Sequence, residues 1–146
     1  MKYRLNKLAL LCVGVLSLLV SNGYTQETTD ASAPSEEVKQ LTLVKAAMCE
    51  NIKEVIPKNP GVIFSTAIGK IFSFTVFDPV PQKTVIYHNW YRNDELITKV
   101  KLTLKPPRWS TFSSIQLREA DKGPWRVEIV DQKDRIYKIL RFSITD

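Results

Sequence analysis

The stretch TVIYHNWYRNDELITKVKLTL, Thr84–Leu104, decides the fold. Thr84–Arg92 is dominated by β-branched and aromatic residues, the types that fit a pleated, half-buried surface. Asn93-Asp94 interrupts it with two residues that tolerate positive φ, and so reads as a two-residue hairpin turn. Leu96–Leu104 returns with Leu96, Val100, Leu102 and Leu104 expected on one face and Lys99 and Lys101 on the other, since alternate side chains of a strand point to opposite sides. An apolar sheet face needs a second layer to cover it.

The segments on either side supply that layer. Upstream, Leu41–Cys49 reads as a strand and Val62–Thr66 as a short one. Lys70–Asp78 follows, with Phe72, Phe74 and Val76 on one face, and ends where Pro79 and Pro81 remove backbone donors. Downstream, Lys105-Pro106-Pro107 breaks the chain before Arg108–Leu117, which places Trp109, Ile115 and Leu117 together and Phe112 opposite. Gly123-Pro124 leads into Trp125–Asp131, where Trp125, Val127 and Ile129 alternate with Arg126, Glu128 and Val130. A turn at Gln132–Asp134 precedes Ile136–Thr145, with Leu140, Phe142 and Ile144 inward. No long stretch repeats apolar residues at helical spacing. The class is all-β: an immunoglobulin-like β-sandwich of seven to eight mainly antiparallel strands, with Trp90 the large aromatic between the sheets and a small barrel as the alternative.

A chain of 146 residues has room for one such domain. Its first segment reads as an export signal: Lys2, Arg4 and Lys7 precede the apolar run Leu8–Val20, and Ser21 and Gly23 are the small residues a signal peptidase accepts. The run is short for a bilayer span, so residues 1–23 are expected to be a signal-peptide helix cut after Gly23, an uncleaved anchor being the alternative. Membrane contact is expected only through that segment. Cys12 lies inside the apolar run, so no lipid anchor is expected. Residues 24–40, rich in Thr, Ser, Ala and Glu, read as a flexible linker, and residues 41–146 as the domain. The protein is thus expected to be exported, periplasmic or secreted. The formal charge of +6 includes the three signal cations, leaving +3, too weak a field to imply nucleic acid. Cys49 would stand alone, so no internal disulfide is expected.

His88-Asn89-Trp90-Tyr91-Arg92-Asn93, Arg108-Trp109 with Ser113-Ser114, and Gly123-Pro124-Trp125-Arg126-Val127-Glu128 to Asp131 occur in that order. Together with Ile71-Phe72-Ser73-Phe74 and Phe142, they make the chain from roughly Val44 onward resemble the bacterial domain-of-unknown-function family twenty-nine fourteen. The chain departs from that pattern at Asp94 and Asp134, where the family usually has Gly, and at Ile115, where it usually has Lys. The resemblance implies an exported or membrane-tethered module and supplies no catalytic residues.

The residues themselves narrow the chemistry. One His and one Cys in the domain make a transition-metal site of the familiar kinds improbable, and no acidic calcium loop, phosphate-cradling loop or dinucleotide fingerprint occurs; neither metal nor cofactor is expected. His88 is a general base only if the fold brings Cys49, Ser113 or Ser114 to it as nucleophile; otherwise it is a framework residue. Asp78, Asp94, Glu95 and Asp131 fall at strand ends or turns, where carboxylates cap loops. Tyr87 and Tyr91 share a strand face, and Phe112 and Tyr137 also fall opposite apolar stripes, so rings on an open sheet face are a recognition surface. Lys99, Lys101, Arg108, Arg126 and Arg141 make a modest basic surface. The candidate binding residues are Tyr87, His88, Tyr91, Arg108 and Phe112, and no catalytic residue is assigned. The expected function is a non-enzymatic binding or scaffolding module of the cell envelope, its partner an envelope protein or polysaccharide. A carbohydrate-binding domain using exposed aromatics and an envelope hydrolase using His88 are the alternatives.

Overall fold

A computed structural model describes residues 38–146, so the expected signal peptide and most of the expected linker lie outside the described residues. The described chain forms nine strands: β1 (Leu43–Lys53), β2 (Ile56–Pro60), β3 (Ile63–Ser65), β4 (Lys70–Phe77), β5 (Thr84–Arg92), β6 (Glu95–Leu104), β7 (Trp109–Gln116), β8 (Gly123–Asp131) and β9 (Ile136–Thr145). They build two sheets, one in the order β2-β1-β4-β7 and one in the order β3-β9-β8-β5-β6, with the core between them. All pairings are antiparallel except β3 with β9.

The strand beyond the seven or eight expected is β2. Its sequence, IPKNP, argues against a central strand because proline cannot donate to a ladder; as an edge strand paired only to β1 it needs no second partner. The turn before it puts Glu54 and Val55 at φ 52° and 59°, and the β5–β6 hairpin does the same with Asn93 and Asp94 at 46° and 66°. Left-handed pairs match the right-handed twist of the flanking strands. Asp134 also has positive φ, 58°, so both positions where the family usually has Gly are left-handed here, and Asp adopts that conformation at small cost.

Two bulges redirect side chains that strict alternation misplaces. The register shift between Trp90 and Tyr91 leaves Ile97 unpaired and sets Leu96 opposite Tyr91, so Leu96 lies on the outer face, half exposed, rather than with Val100. The shift between Ile129 and Val130 skips Tyr137, which turns inward onto Phe77 with ring centroids 5.4 Å apart, against the expected outward placement.

Strand β4 is covered on both faces. Ile71 and Phe77 join the core between the sheets, with Ser73 and Thr75 between them. Phe72, Phe74 and Val76 cluster with Cys49 on the outer side of the four-stranded sheet. Cys49 is a buried free thiol, and burial raises its pKa. Between the sheets Trp125 stacks on Phe142 at 6.2 Å, while Trp90 and Phe64 meet Phe142 edge-on, each at 6.1 Å. Ile115, where the family usually has Lys, packs against this cluster. The tight turn ahead of β8 fixes Trp125: the indole N–H donates to the Asp121 carbonyl at 2.6 Å, while the buried Asp121 carboxylate accepts from the backbone and guanidinium of Arg118. The Arg118 guanidinium holds that carboxyl below its usual range.

Candidate functional site

The five candidate residues do not form one site; the fold sends them to four places. Tyr87 and Tyr91 lie on the outer face of the five-stranded sheet. His88 points the other way, into the core, and is fully buried. Arg108 sits at the end of the sandwich, its guanidinium 3.2 Å from the Asp78 carboxylate with both groups exposed. Phe112 lies on the outer face of the four-stranded sheet, 44% exposed and edge-on to Phe72 at 5.8 Å.

His88 belongs to a chain of hydrogen bonds linking the two sheets. An indole N–H can only donate, so Trp90 Nε1 donates to Ser113 Oγ at 3.0 Å. The Ser113 hydroxyl then has its proton for His88 Nδ1, 2.8 Å away. With Nδ1 accepting, Nε2 carries the proton toward Thr75 Oγ1 at 3.4 Å, and Thr75 donates to the Thr111 carbonyl at 3.5 Å. This arrangement gives every polar group in the chain a partner with the imidazole neutral. Burial without a carboxylate partner pushes the His88 pKa down to about 3. Ser113, one of the nucleophiles considered with His88, is therefore at hydrogen-bond distance, and the pair is enclosed between the sheets, with His88 fully buried and Ser113 buried beside it.

The outer face of the five-stranded sheet is organised differently, by charge on aromatic rings. Lys99 Nζ stands 4.4 Å from the Tyr87 ring centroid, and the Arg126 guanidinium 4.1 Å from that of Tyr91. Cross-strand register dictates both: Tyr91 faces Arg126, and Lys99 lies diagonally from Tyr87. Arg126 is further held by Glu128, Nε to Oε1 2.9 Å, and by Asp94 from the hairpin turn. Opposite Arg126 on β9 stands Arg141, exposed and with no hydrogen-bond or ion-pair partner among the described residues. Beside it the Trp125 edge, Pro124 and Tyr91 line a cleft of about 160 Å³. Composition and alternation identify Arg126 and Arg141 as outward cations; only the strand register shows that they oppose each other.

Lys99 and Arg126 each occupy one face of the Tyr87 and Tyr91 rings, so that face is not free for a sugar to stack on. No group of three or more His, Cys, Asp or Glu side chains is placed to hold a metal ion among the described residues. The search of curated proteins finds no match. Residues 83–144, which run from the start of β5 almost to the end of β9, match the family described as Protein of unknown function (DUF2914), the family that the motifs from His88 onward resemble; the expected resemblance upstream, from Val44 through Ile71–Phe74, lies outside the match.

Proposed function

We propose that the protein is an exported, non-enzymatic recognition module of the bacterial cell envelope, and that its recognition surface is the outer face of the five-stranded sheet around Tyr91, Arg126 and Arg141. The observation carrying this reading is the row Tyr91–Arg126–Arg141. One guanidinium in it is locked by a ring and two carboxylates, and the next is left exposed beside a cleft that Tyr91, Pro124 and Trp125 line together with Asn93 and Asp94. Interfaces favour such pre-ordered aromatic and arginine side chains, which lose little entropy on binding. The enclosure of His88 weighs against the hydrolase alternative, and the cations over the tyrosines against the sugar-stacking one. The immunoglobulin-like reading is supported by connectivity: with β2 and β3 set aside, β1-β4-β7 against β9-β8-β5-β6 follows the A-B-E and G-F-C-C′ order of such sandwiches.

The test is capture from envelope extracts with the exported form, whose N-terminus is expected at Tyr24. Enrichment of one protein or polymer that Arg126→Gln or Arg141→Gln weakens supports the reading. Full-length chain recovered soluble from the cytoplasm, or a partner whose capture both variants leave unchanged, overturns it.

A further inference from the structure

We infer that Arg141 anchors the carboxylate of an extended peptide laid along the β3–β9 edge. This rests on the recognition reading above and names its ligand. Arg141 and Arg126 are direct cross-strand partners on one face, an arrangement in which like charges disfavour pairing. Arg126 escapes by leaning onto Tyr91 and pairing with Asp94 and Glu128. Arg141 has no such relief: among the described residues it is the one arginine without a hydrogen-bonded or ionic partner, Arg92 at least reaching the Lys122 carbonyl. A guanidinium presents a fixed fork of donors that matches a carboxylate in two parallel bonds, and an incoming carboxylate would give Arg141 the kind of partner that Arg126 already has.

The surroundings point to a peptide rather than a free anion. Three clefts meet at Arg141. One is the cleft beside Tyr91; a second, of about 360 Å³, runs past Val62, Ile63 and Trp125; a third, of about 430 Å³, lies between Ala46–Met48 and Ile139–Leu140. Val62 and Ile63 are 65% and 67% exposed, an apolar rim beside the free cation. Backbone is open there as well. Strand β3 is three residues long and pairs only with Ser143–Thr145, its other side carrying no strand, and Ile139–Arg141 pair with β8 alone. Open strand edges hydrogen-bond to an extended chain, whose alternate side chains then fall into flanking clefts. A lipid carboxylate or inorganic phosphate could use the guanidinium and accept from a backbone N–H, but has no backbone of its own to donate and accept in turn along the edge.

The experiment uses the exported protein and titrates it by calorimetry, with amide shifts mapped by NMR. The main probe is a blocked pentapeptide of alternating valine and threonine with a central aspartate. Its asparagine counterpart, octanoate and inorganic phosphate complete the set. The expected result is at least tenfold tighter binding of the aspartate peptide than of the asparagine one, with amide shifts along β3 and Ile139–Ser143. Arg141→Gln should erase that preference, and Arg108→Gln, at the far end of the sandwich, should keep it. Equal affinity for the two peptides, an unchanged preference in Arg141→Gln, or no binding at millimolar concentration overturns the inference. Octanoate or phosphate binding as tightly as the peptide also overturns it, assigning the site to lipid or to free anion. A partner captured from extracts through Arg126 but indifferent to Arg141→Gln would remove this anchor and leave the recognition reading standing.

Discussion

Acidification from pH 7.5 to 5 should destabilise this domain chiefly through one side chain, and the size of the effect follows from the burial of His88. In the folded state its pKa is about 3, because the charged imidazolium would lie among Trp90, Ser113 and Thr75 with no anion to balance it. In the unfolded chain an ordinary histidine titrates near 6.5. The folded state therefore binds fewer protons than the unfolded one between those values. Stability is complete above about pH 6.5 and is lost as pH falls toward 3. Linkage gives a loss of about 2 kcal/mol at pH 5 and about 4 kcal/mol at pH 3.5, a large part of the ~5–15 kcal/mol margin of a small domain. The hydrogen-bonded carboxyls Glu119, Asp121 and Asp131 are all held below the usual carboxylate range, so their contribution is lost only at lower pH and the window from 6.5 to 5 belongs to His88. Melts followed by circular dichroism should show Tm falling by roughly 10 °C from pH 7.5 to pH 5. His88→Gln, which does not titrate, should start lower but stay nearly level across the same range. Because that variant could lose too much packing to compare, the imidazole proton shifts of the wild type give a second reading and should not move above pH 5 while the protein is folded. An imidazole that titrates near pH 6.5 in the native state, or a Tm level down to pH 5, would refute the reasoning.

Two further outcomes test the packing and the turns. Trp125→Ala removes the ring stacked on Phe142 and the donor to the Asp121 carbonyl, and should cost about 3–5 kcal/mol by chemical denaturation; a loss under 1 kcal/mol would show that the ring is not core. Val55 is half exposed at φ 59°, a conformation that costs a β-branched residue about 1–2 kcal/mol, so Val55→Gly should stabilise the domain by about 1 kcal/mol, raising Tm by several degrees, and a lower Tm would mean that the side chain packs more than its exposure indicates.

The core was legible in the sequence wherever simple alternation holds. Trp125, Val127 and Ile129 line the core as their spacing predicts, and Asn93-Asp94 makes the expected turn. Alternation fails at bulges, because one extra residue reverses every side chain beyond it until the register is restored; Leu96 and Tyr137 were misplaced for that reason. Strand β2 escaped because its prolines speak against a ladder on both sides and say nothing against one side. The candidate site was less legible. Periodicity assigns Tyr87 and Tyr91 to one face and His88 to the other, but no spacing rule says that Ser113, twenty-five residues away, bonds the imidazole. Nor does any local pattern reveal that Arg126 and Arg141 meet across a strand pair, since register is a property of the assembled sheet. Asp121 gives no signal beyond a carboxylate three residues after an arginine.

The residues matched by the family, 83–144, cut through the sandwich rather than around it. They hold β5, β6, β8 and most of β9, which make up the five-stranded sheet apart from β3. From the other sheet they hold only β7, whose sole ladder partner is β4. A fragment limited to the matched span would leave β7 without a neighbour and uncover Trp90, Val127 and Phe142 where Ile71 and Met48 now close over them. The smallest portion of this chain able to fold, and so the smallest that could be moved intact between proteins, therefore begins no later than β1, about forty residues before the matched span.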